Sequence, residues 1–586
     1  MASIDELFRK PHLPSSKRKF EAPTNPEASY KATKHNNGDV KANSRSPSPP
    51  PIDDDGIEAG PEPPSAELDD EEDGRFFGGG ITKGASDALT YVEEHEGAYR
   101  EEHYDIAWLR RLGLSFERTI SKNAELRAKY GDEPQKFMSS EADLDAEIKA
   151  LSILSEHPEL YSEFARIGCA GSLVSLLAHD NTDIAIGAME IISELLDDNG
   201  QAEQGQWDSL VNAMIEGWKA GERTSYGFKA ANPKNRRVLS LDRFDETNEA
   251  DRSGVYFSLS VLDSLSSQPT FAEKVGTKPI VTWLLSRAKV KEANGVSQNK
   301  QYSAEVLSIL LQSSSVVRRL AAEELEAVDT FLTLLAVYRK RDPEKESNEE
   351  QFVDDIFNAL TCLVVEASGK RQFVANEGVE LCLIMLREGR LAKRHALRVL
   401  DHACSGSGAA TTVCETLVEA AGLKVIFALF MNRKTGKEDV EHLLGIFAAL
   451  LRQLPGESPA RIRTLAKFVE KDYEKVVSLV KLRRDYASRV AAADNKLVDG
   501  DADARFSGRL EAGLYCLQTI DVVLAWLVAE DDGCRHTIQV LLAEKEETLT
   551  TTLKATIEEQ LKGLEDDDPE VQETREMLGA LVEFLD

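Results

Sequence analysis

Gly171–Asp198, GSLVSLLAHDNTDIAIGAMEIISELLDD, is the stretch that decides the fold. Two helices meet there at a sharp turn. Leu173, Leu176 and Leu177 stand at helical spacing in a short first helix. His179-Asp180-Asn181-Thr182 follow, four residues suited to turns and helix N-caps. In the second helix Ile184, Ala188, Ile191, Ile192 and Leu195 form one apolar side, with Ala185, Met189 and Leu196 beside them. That arc is wider than one-sided packing requires, so the helix must lie between neighbours. Only Asp183, Gly187, Glu190 and Glu194 are left as a narrow polar strip.

The chain supplies those neighbours by repeating the unit. The second helix has counterparts at 254–268, 301–314, 352–368, 392–406 and 440–453, and the first at 278–288, 327–339, 378–389 and 422–433. Leu177, Leu285, Leu335, Leu386 and Phe430 are separated by 108, 50, 51 and 44 residues. The first step holds two units, with Trp218 as the intermediate anchor and a polar loop over Gly221–Arg252. Periods of about 40–50 residues with two or three helices each predict armadillo or HEAT repeats. The expected fold is all-α, a right-handed α-solenoid with helical N- and C-terminal caps. Its expected divisions are an arm at 1–80, a helical cap at 81–165, repeats at 166–455 and a helical region at 456–586.

On either side of the array the pattern changes. Ala88–Arg100 and Ile106–Leu112 read as helices, and Ser115–Tyr161 as two more about the turn Gly131-Asp132-Glu133-Pro134, the second capped by Ser139 or Ser140. Beyond Pro455, Lys467–Asp494 reads as one long charged helix and Arg509–Val528 as a buried one. The acidic helical end, Glu544–Asp586, would cover the last apolar face, as solenoids require.

Acidic residues outnumber basic ones by 102 to 70, a net charge of −32. Phosphate would be repelled by the surface as a whole, so direct nucleic-acid binding is not expected and basic protein partners are. The seven cysteines form no CxxC or CxxH pattern, and their odd number makes no disulfide framework. They predict a reducing, intracellular setting. No apolar run reaches the roughly 18 residues a membrane span needs, so no membrane association is expected. Residues 1–80 are rich in Pro, Ser, Asn, Lys and Asp, which predicts disorder. Lys17, Arg18 and Lys19 read as a nuclear localisation signal, or else as part of a solvated tail. Asp53–Asp73 holds eleven acidic residues and no basic one, and Ser46-Pro47 and Ser48-Pro49 have the form of proline-directed phosphorylation sites.

Signals for catalysis fail in turn. Gly78-Gly79-Gly80 lacks the GxxxxGK[ST] spacing, and Tyr99 stands where HExxH needs its second histidine after His95. No cofactor, metal site or enzymatic activity is expected.

The polar strips recur with the helices: Gln301, Glu305, Ser308 and Gln312, then Asp354, Asn358 and Thr361, then Arg394, Arg398 and Asp401. In a solenoid the last helix of each unit lines the inner surface. The candidate partner groove is therefore Asp183, Glu190, Glu194, Asp263, Glu305, Asp354, Asn358, Arg394, Arg398 and Asp401, acidic first and more basic later. The alternative is that these residues are only the wetted edges of their helices.

Phe116–Ile148 (FERTISKNAELRAKYGDEPQKFMSSEADLDAEI), LLAHDNTDIAI (176–186), YSAEVLSILLQ (302–312), ALRVLDHA (396–403) and RLEAGLYCLQ (509–518) resemble the beta-catenin-like family of armadillo-type proteins, in a fungal-type form. These motifs span most of the folded chain in the right order. The resemblance implies a nuclear, non-enzymatic scaffold of the spliceosome in pre-mRNA splicing. It also implies association with the nineteen complex through its Myb-repeat scaffold subunit, and recognition of basic, nuclear-localisation-type segments. A nuclear transport adaptor for basic cargo is the alternative. An import receptor would engage the N-terminal arm, and a homodimer through a C-terminal helix is consistent with the same reading. One departure stands out: import receptors of the alpha class read basic residues with Trp-x-x-x-Asn ladders, and none of Trp108, Trp207, Trp218, Trp283 and Trp526 has Asn four residues on. A basic segment would have to meet carboxylates instead.

Overall fold

The computed structural model describes residues 103–197, 203–224, 241, 244–293, 295–406, 408–496, 502–564 and 569–585. The expectations placed on residues 1–80, with Lys17, Arg18 and Lys19, and on Ala88–Arg100 lie outside them. The chain divides into two compact units. The helical array belongs to the unit that holds Ile106–Asp586, and of the other, Ser15–Asp105, only 103–105 are described. No strand occurs among the described residues.

The array opens with α1 (Ile106–Lys129) and α2 (Met138–Ala150). Ile106–Leu112 and the helix expected after Ser115 are one helix. Gly113 does not interrupt it, because glycine is needed for close approach: a Cβ there would lie 2.8 Å from the Cys169 sulfur. Ser140 is not a cap. It sits buried within α2, accepting from Asn123 Nδ2 at 3.0 Å and donating to the Phe137 carbonyl at 2.7 Å.

The opening stretch folds as read: α3 (Tyr161–Arg166), α4 (Cys169–Ser175) with a 3-10 turn to Ala178, then α5 (Thr182–Leu196). Asn181 caps α5, its side chain accepting from the Asp183 N–H at 3.0 Å. His179 orders the turn. Its Nδ1 accepts from the Asn181 N–H at 3.1 Å and its Nε2 meets Asn123 Oδ1 at 3.1 Å. Burial and the nearby Arg127 lower the His179 pKa, which keeps the ring neutral for that arrangement.

After α6 (Gln204–Thr224) and α7 (Glu249–Ser266) the chain settles into three-helix units. They are α8 (Pro269–Val275), α9 (Lys278–Lys289) and α10 (Gln298–Ser313), then α11 (Ser315–Glu324), α12 (Ala327–Leu335) and α13 (Asn348–Leu363). Next come α14 (Ala367–Ala375), α15 (Gly378–Glu388) and α16 (Leu391–Cys404), then α17 (Ala410–Glu419), α18 (Gly422–Phe430) and α19 (Lys437–Gln453). The sequence reading found the second and third helices of each unit and passed over the short first ones, α8, α11, α14 and α17, whose apolar patterns are only two or three turns long. In three of these units a single left-handed residue turns the first helix into the second, Glu326 (φ 49°), Glu377 (φ 57°) and Ala421 (φ 58°), as Gly168 (φ 85°) does before α4, whereas α8 turns into α9 through Gly276 at φ −70°.

Third helices stack into one continuous row: α5 on α7, α7 on α10, α10 on α13, α13 on α16 and α16 on α19. The polar loop of the sequence reading is shorter than expected, since α6 runs to Thr224 and α7 begins at Glu249. Half-buried Arg318 closes the end of one row helix. Arg318 donates to the last carbonyls of α10, at Leu311 (3.0 Å) and Gln312 (3.2 Å), and pairs with Glu366 at 2.9 Å. Positive charge at a helix C-terminus offsets the macrodipole.

Beyond Pro455 the helix expected from Lys467 is α20 (Pro459–Lys496), and it is broken at Glu470–Tyr473, where Lys471, Asp472 and Tyr473 are left-handed. The helix expected over Arg509–Val528 is two, α21 (Ala502–Ala512) and α22 (Leu514–Glu530), divided at Gly513 (φ 101°). α22 packs on α19 and so extends the row. α23 (Asp532–Ala543) packs on α20, and α24 (Ala555–Lys562) and α25 (Pro569–Glu583) pack on α22.

Candidate partner-binding face

Every candidate groove residue lies on the row of third helices. Asp183, Glu190 and Glu194 stand on α5, Asp263 on α7, Glu305 on α10, Asp354 and Asn358 on α13, and Arg394, Arg398 and Asp401 on α16. None is buried; Asp183 and Arg394 are exposed and the others half-buried. Stacking places them along one face. Other members of the strips turn inward: Gly187 is buried against Asp145 and Ile148 of α2, and Gln301, Ser308 and Thr361 are buried too. Each row helix packs on both flanks, so one edge of an i, i+4, i+7, i+11 strip meets the next helix. Tyr302, beside Gln301, is half-buried.

Many of these side chains are rungs between successive helices. Ser152 donates to Glu194 at 2.6 Å, and the Ser193 and Ser260 hydroxyls bond at 2.9 Å from α5 to α7. Tyr302 of α10 donates to Asp263 of α7 at 3.2 Å. Gln301 Nε2 reaches Glu305 at 2.9 Å and Asp355 of α13 at 3.1 Å. His395 Nε2 lies 3.0 Å from Asp354 and stacks on Phe357, with centroids 4.9 Å apart. Arg398 donates to Asn358, Arg394 pairs with Glu438, and His442 Nδ1 meets Asp401 at 3.0 Å.

Electrostatically the face has two halves. At the first, Glu190 is raised above the usual carboxylate range by burial and then by Glu194, with Lys149 of α2 pulling the other way. Burial, then Asp263, pushes the Tyr302 phenol up, so it remains a donor. At the second half, burial lowers Arg398, and His402 falls to about 4 for the same reason. The carboxylates of the first half can accept from cationic donors. In the second half the cations already have partners of opposite charge or polar acceptors. Sequence reading missed Tyr256 and Tyr302, whose rings sit 5.4 Å apart between Asp263 and Glu305 on the acidic half. The repeat phase that located Asp263 and Glu305 could have found them.

Among the described residues no group of three or more His, Cys, Asp or Glu is placed to hold a metal ion. All seven cysteines are buried free thiols, and burial holds Cys169 and Cys534 up at about 12. No single described helix is long and apolar enough to cross a membrane.

Three-helix units stacked in register, with one row presenting a continuous polar face, define an armadillo-type α-solenoid protein. The chain belongs to the catenin-beta-like family, described as Arm-motif containing and nuclear, whose family model matches residues 86–558. It is 34% identical over 497 residues to the beta-catenin-like protein 1 homolog of Schizosaccharomyces pombe, covering 83% of this chain and 84% of that one. Beta-catenin-like protein 1 of Mus musculus is 33% identical over 446 residues, 72% of this chain and 75% of its own. A solved structure from a study of cadherin and beta-catenin aligns over 84% of this chain and 87% of its own. Its 13% identity and TM-score of 0.41 are too low to bear on function.

Proposed function

We propose that this protein is a nuclear, non-enzymatic scaffold of the spliceosome, associated with the nineteen complex in pre-mRNA splicing. Its partners are splicing factors with basic, nuclear-localisation-type segments, the Myb-repeat scaffold of that complex among them. Family membership supports the class. The observation that carries the binding mode is the acidic half of the row, where Glu190, Glu194, Asp263 and Glu305 stand on three successive row helices. Asp183 begins that half and Asp354 and Asn358 end it. Arg394 and Arg398, with Asp401 beside them, set the far limit, where the like charge of the two arginines repels a basic segment. Lys17, Arg18 and Lys19 direct import. Affinity comes from charge-assisted hydrogen bonds, with apolar and aromatic neighbours such as Tyr256 as anchors.

Fluorescence polarisation with a Lys/Arg-rich peptide tests this reading. Glu190→Lys with Glu194→Lys should weaken binding about tenfold at low salt, where such contacts are least screened. Unchanged affinity under those conditions removes the groove assignment.

A further inference from the structure

We propose that three successive loops, joining α12 to α13, α15 to α16 and α18 to α19, form a basic edge that binds the phosphate backbone of RNA. With the helix ends that flank them, residues 336–347, 387–394 and 431–437 hold eleven Lys or Arg and four acids, in a chain where acids prevail by 102 to 70. The expectation against nucleic acid rested on that total, and the edge reverses it locally.

The loops are neighbours, and two of their four acids, Asp342 and Glu388, fasten the first to the second. In the first, Lys340 pairs with Glu388 of the second at 3.4 Å, and Asp342 accepts from the Leu391 N–H at 3.1 Å. Arg394 of the second pairs with Glu438 at the end of the third. Arg341 is held by Glu349 at 2.7 Å. Glu344 and Glu346 stay exposed in the first loop, while Arg387, Arg390, Arg433 and Lys434 stand exposed and make no ion pair with described residues. Asn432 shapes the third loop by accepting from the Lys434 N–H at 3.1 Å.

Phosphate fits this edge better than protein does. Stable protein interfaces centre on buried apolar or aromatic anchors, and here the only large hydrophobic side chain exposed among the described residues of these loops is Val337. No exposed ring offers a platform for bases, since Tyr338 is buried, so the backbone of a duplex rather than stacked bases is the target. Row helices packed about 10 Å apart give the edge a length of about 20 Å, over which a duplex presents on the order of ten charges. The forked guanidinium of arginine, the commoner cation here, matches phosphate in two hydrogen bonds. The choice of RNA rests on the proposed place in splicing; the phosphate assignment does not.

Fluorescence anisotropy of the full chain with a labelled RNA duplex of about 16 base pairs tests the edge, beside a DNA duplex of the same sequence and an oligoglutamate peptide. Arg387→Glu, Arg390→Glu, Arg433→Glu and Lys434→Glu together should raise the Kd for RNA about tenfold or more and flatten its salt dependence by roughly three or four phosphate contacts. Arg387→Lys, Arg390→Lys and Arg433→Lys should keep the affinity within about threefold, since the charge remains. Glu190→Lys with Glu194→Lys should leave RNA binding intact, whatever it does to the basic peptide, which separates failure of this edge from failure of the groove. Unchanged RNA affinity in the four-Glu variant overturns the edge. Tighter binding of the DNA duplex or of oligoglutamate than of RNA overturns the RNA assignment.

Discussion

Gln301 of α10 donates to the Asp355 carboxylate of α13 at 3.1 Å, inside the seam between two row helices. The same amide nitrogen also reaches Glu305 at 2.9 Å, so one neutral donor serves two acids. Burial, and then Glu305, pushes Asp355 up to about 7. The folded protein therefore holds a proton there that the unfolded chain, with an aspartate near 4, releases. Between those values the native state binds more protons, so stability falls as pH rises from about 4 to 7 and then levels off. Asp355→Asn should remove this slope and stabilise the protein at pH 8 by about 1–2 kcal/mol. Urea denaturation at pH 5 and pH 8 measures it; an equal effect of the substitution at both values would contradict the assignment.

Arg461 is buried and donates to the Leu450 and Leu451 carbonyls at the end of α19, while pairing with Glu530 and lying 4.9 Å over the Trp526 ring. Arg461→Met keeps bulk but leaves the α19 carbonyls and Glu530 without their cation. A cost of about 3–5 kcal/mol is expected, the range for breaking a buried pair. Thermal denaturation gives the value, and a loss below about 1 kcal/mol would mean that water replaces the guanidinium.

Gly369 lies at the entry to α14, where a Cβ would come within 1.9 Å of the Leu363 carbonyl oxygen. Backbone cannot yield as a side-chain end can, so Gly369→Ala should cost about 3 kcal/mol through forced displacement. Hydrogen exchange should show lost protection concentrated in α13 and α14.

At the basic end of the row, Arg394→Glu should strengthen binding of a Lys/Arg-rich peptide about threefold at low salt, the opposite sign to Glu190→Lys. Competition polarisation against the wild type reads the direction. A weaker complex would place the peptide elsewhere.

Much of this was legible in the sequence. The two-helix period marked α9, α10, α12, α13, α15, α16, α18 and α19 to within a few residues, because their apolar arcs are wide and recur at similar spacing. Ser140 and Lys471 were not legible. A serine three residues from a helix start looks like a cap until Asn123 is seen beneath it, and nothing in the residues 471–473 announces three left-handed conformations in succession. The candidate site was half legible: periodicity put Glu190, Asp263, Glu305 and Arg398 on row helices, yet could not tell half-buried Tyr302 from buried Gln301.

Helices, their repetition and the family follow from apolar periodicity and family motifs, which are local properties of the chain. Which polar residues bond across seams, as Ser193 does to Ser260 and Asp401 to His442, and which remain on the face depends on the packed structure. That structure alone brought the end of α15 with Arg387 and the loop with Arg433, 46 residues apart in sequence, to one edge. Side-chain partners between helices depend on rotation about each helix axis, and packing on both flanks fixes that rotation, not the spacing within one helix.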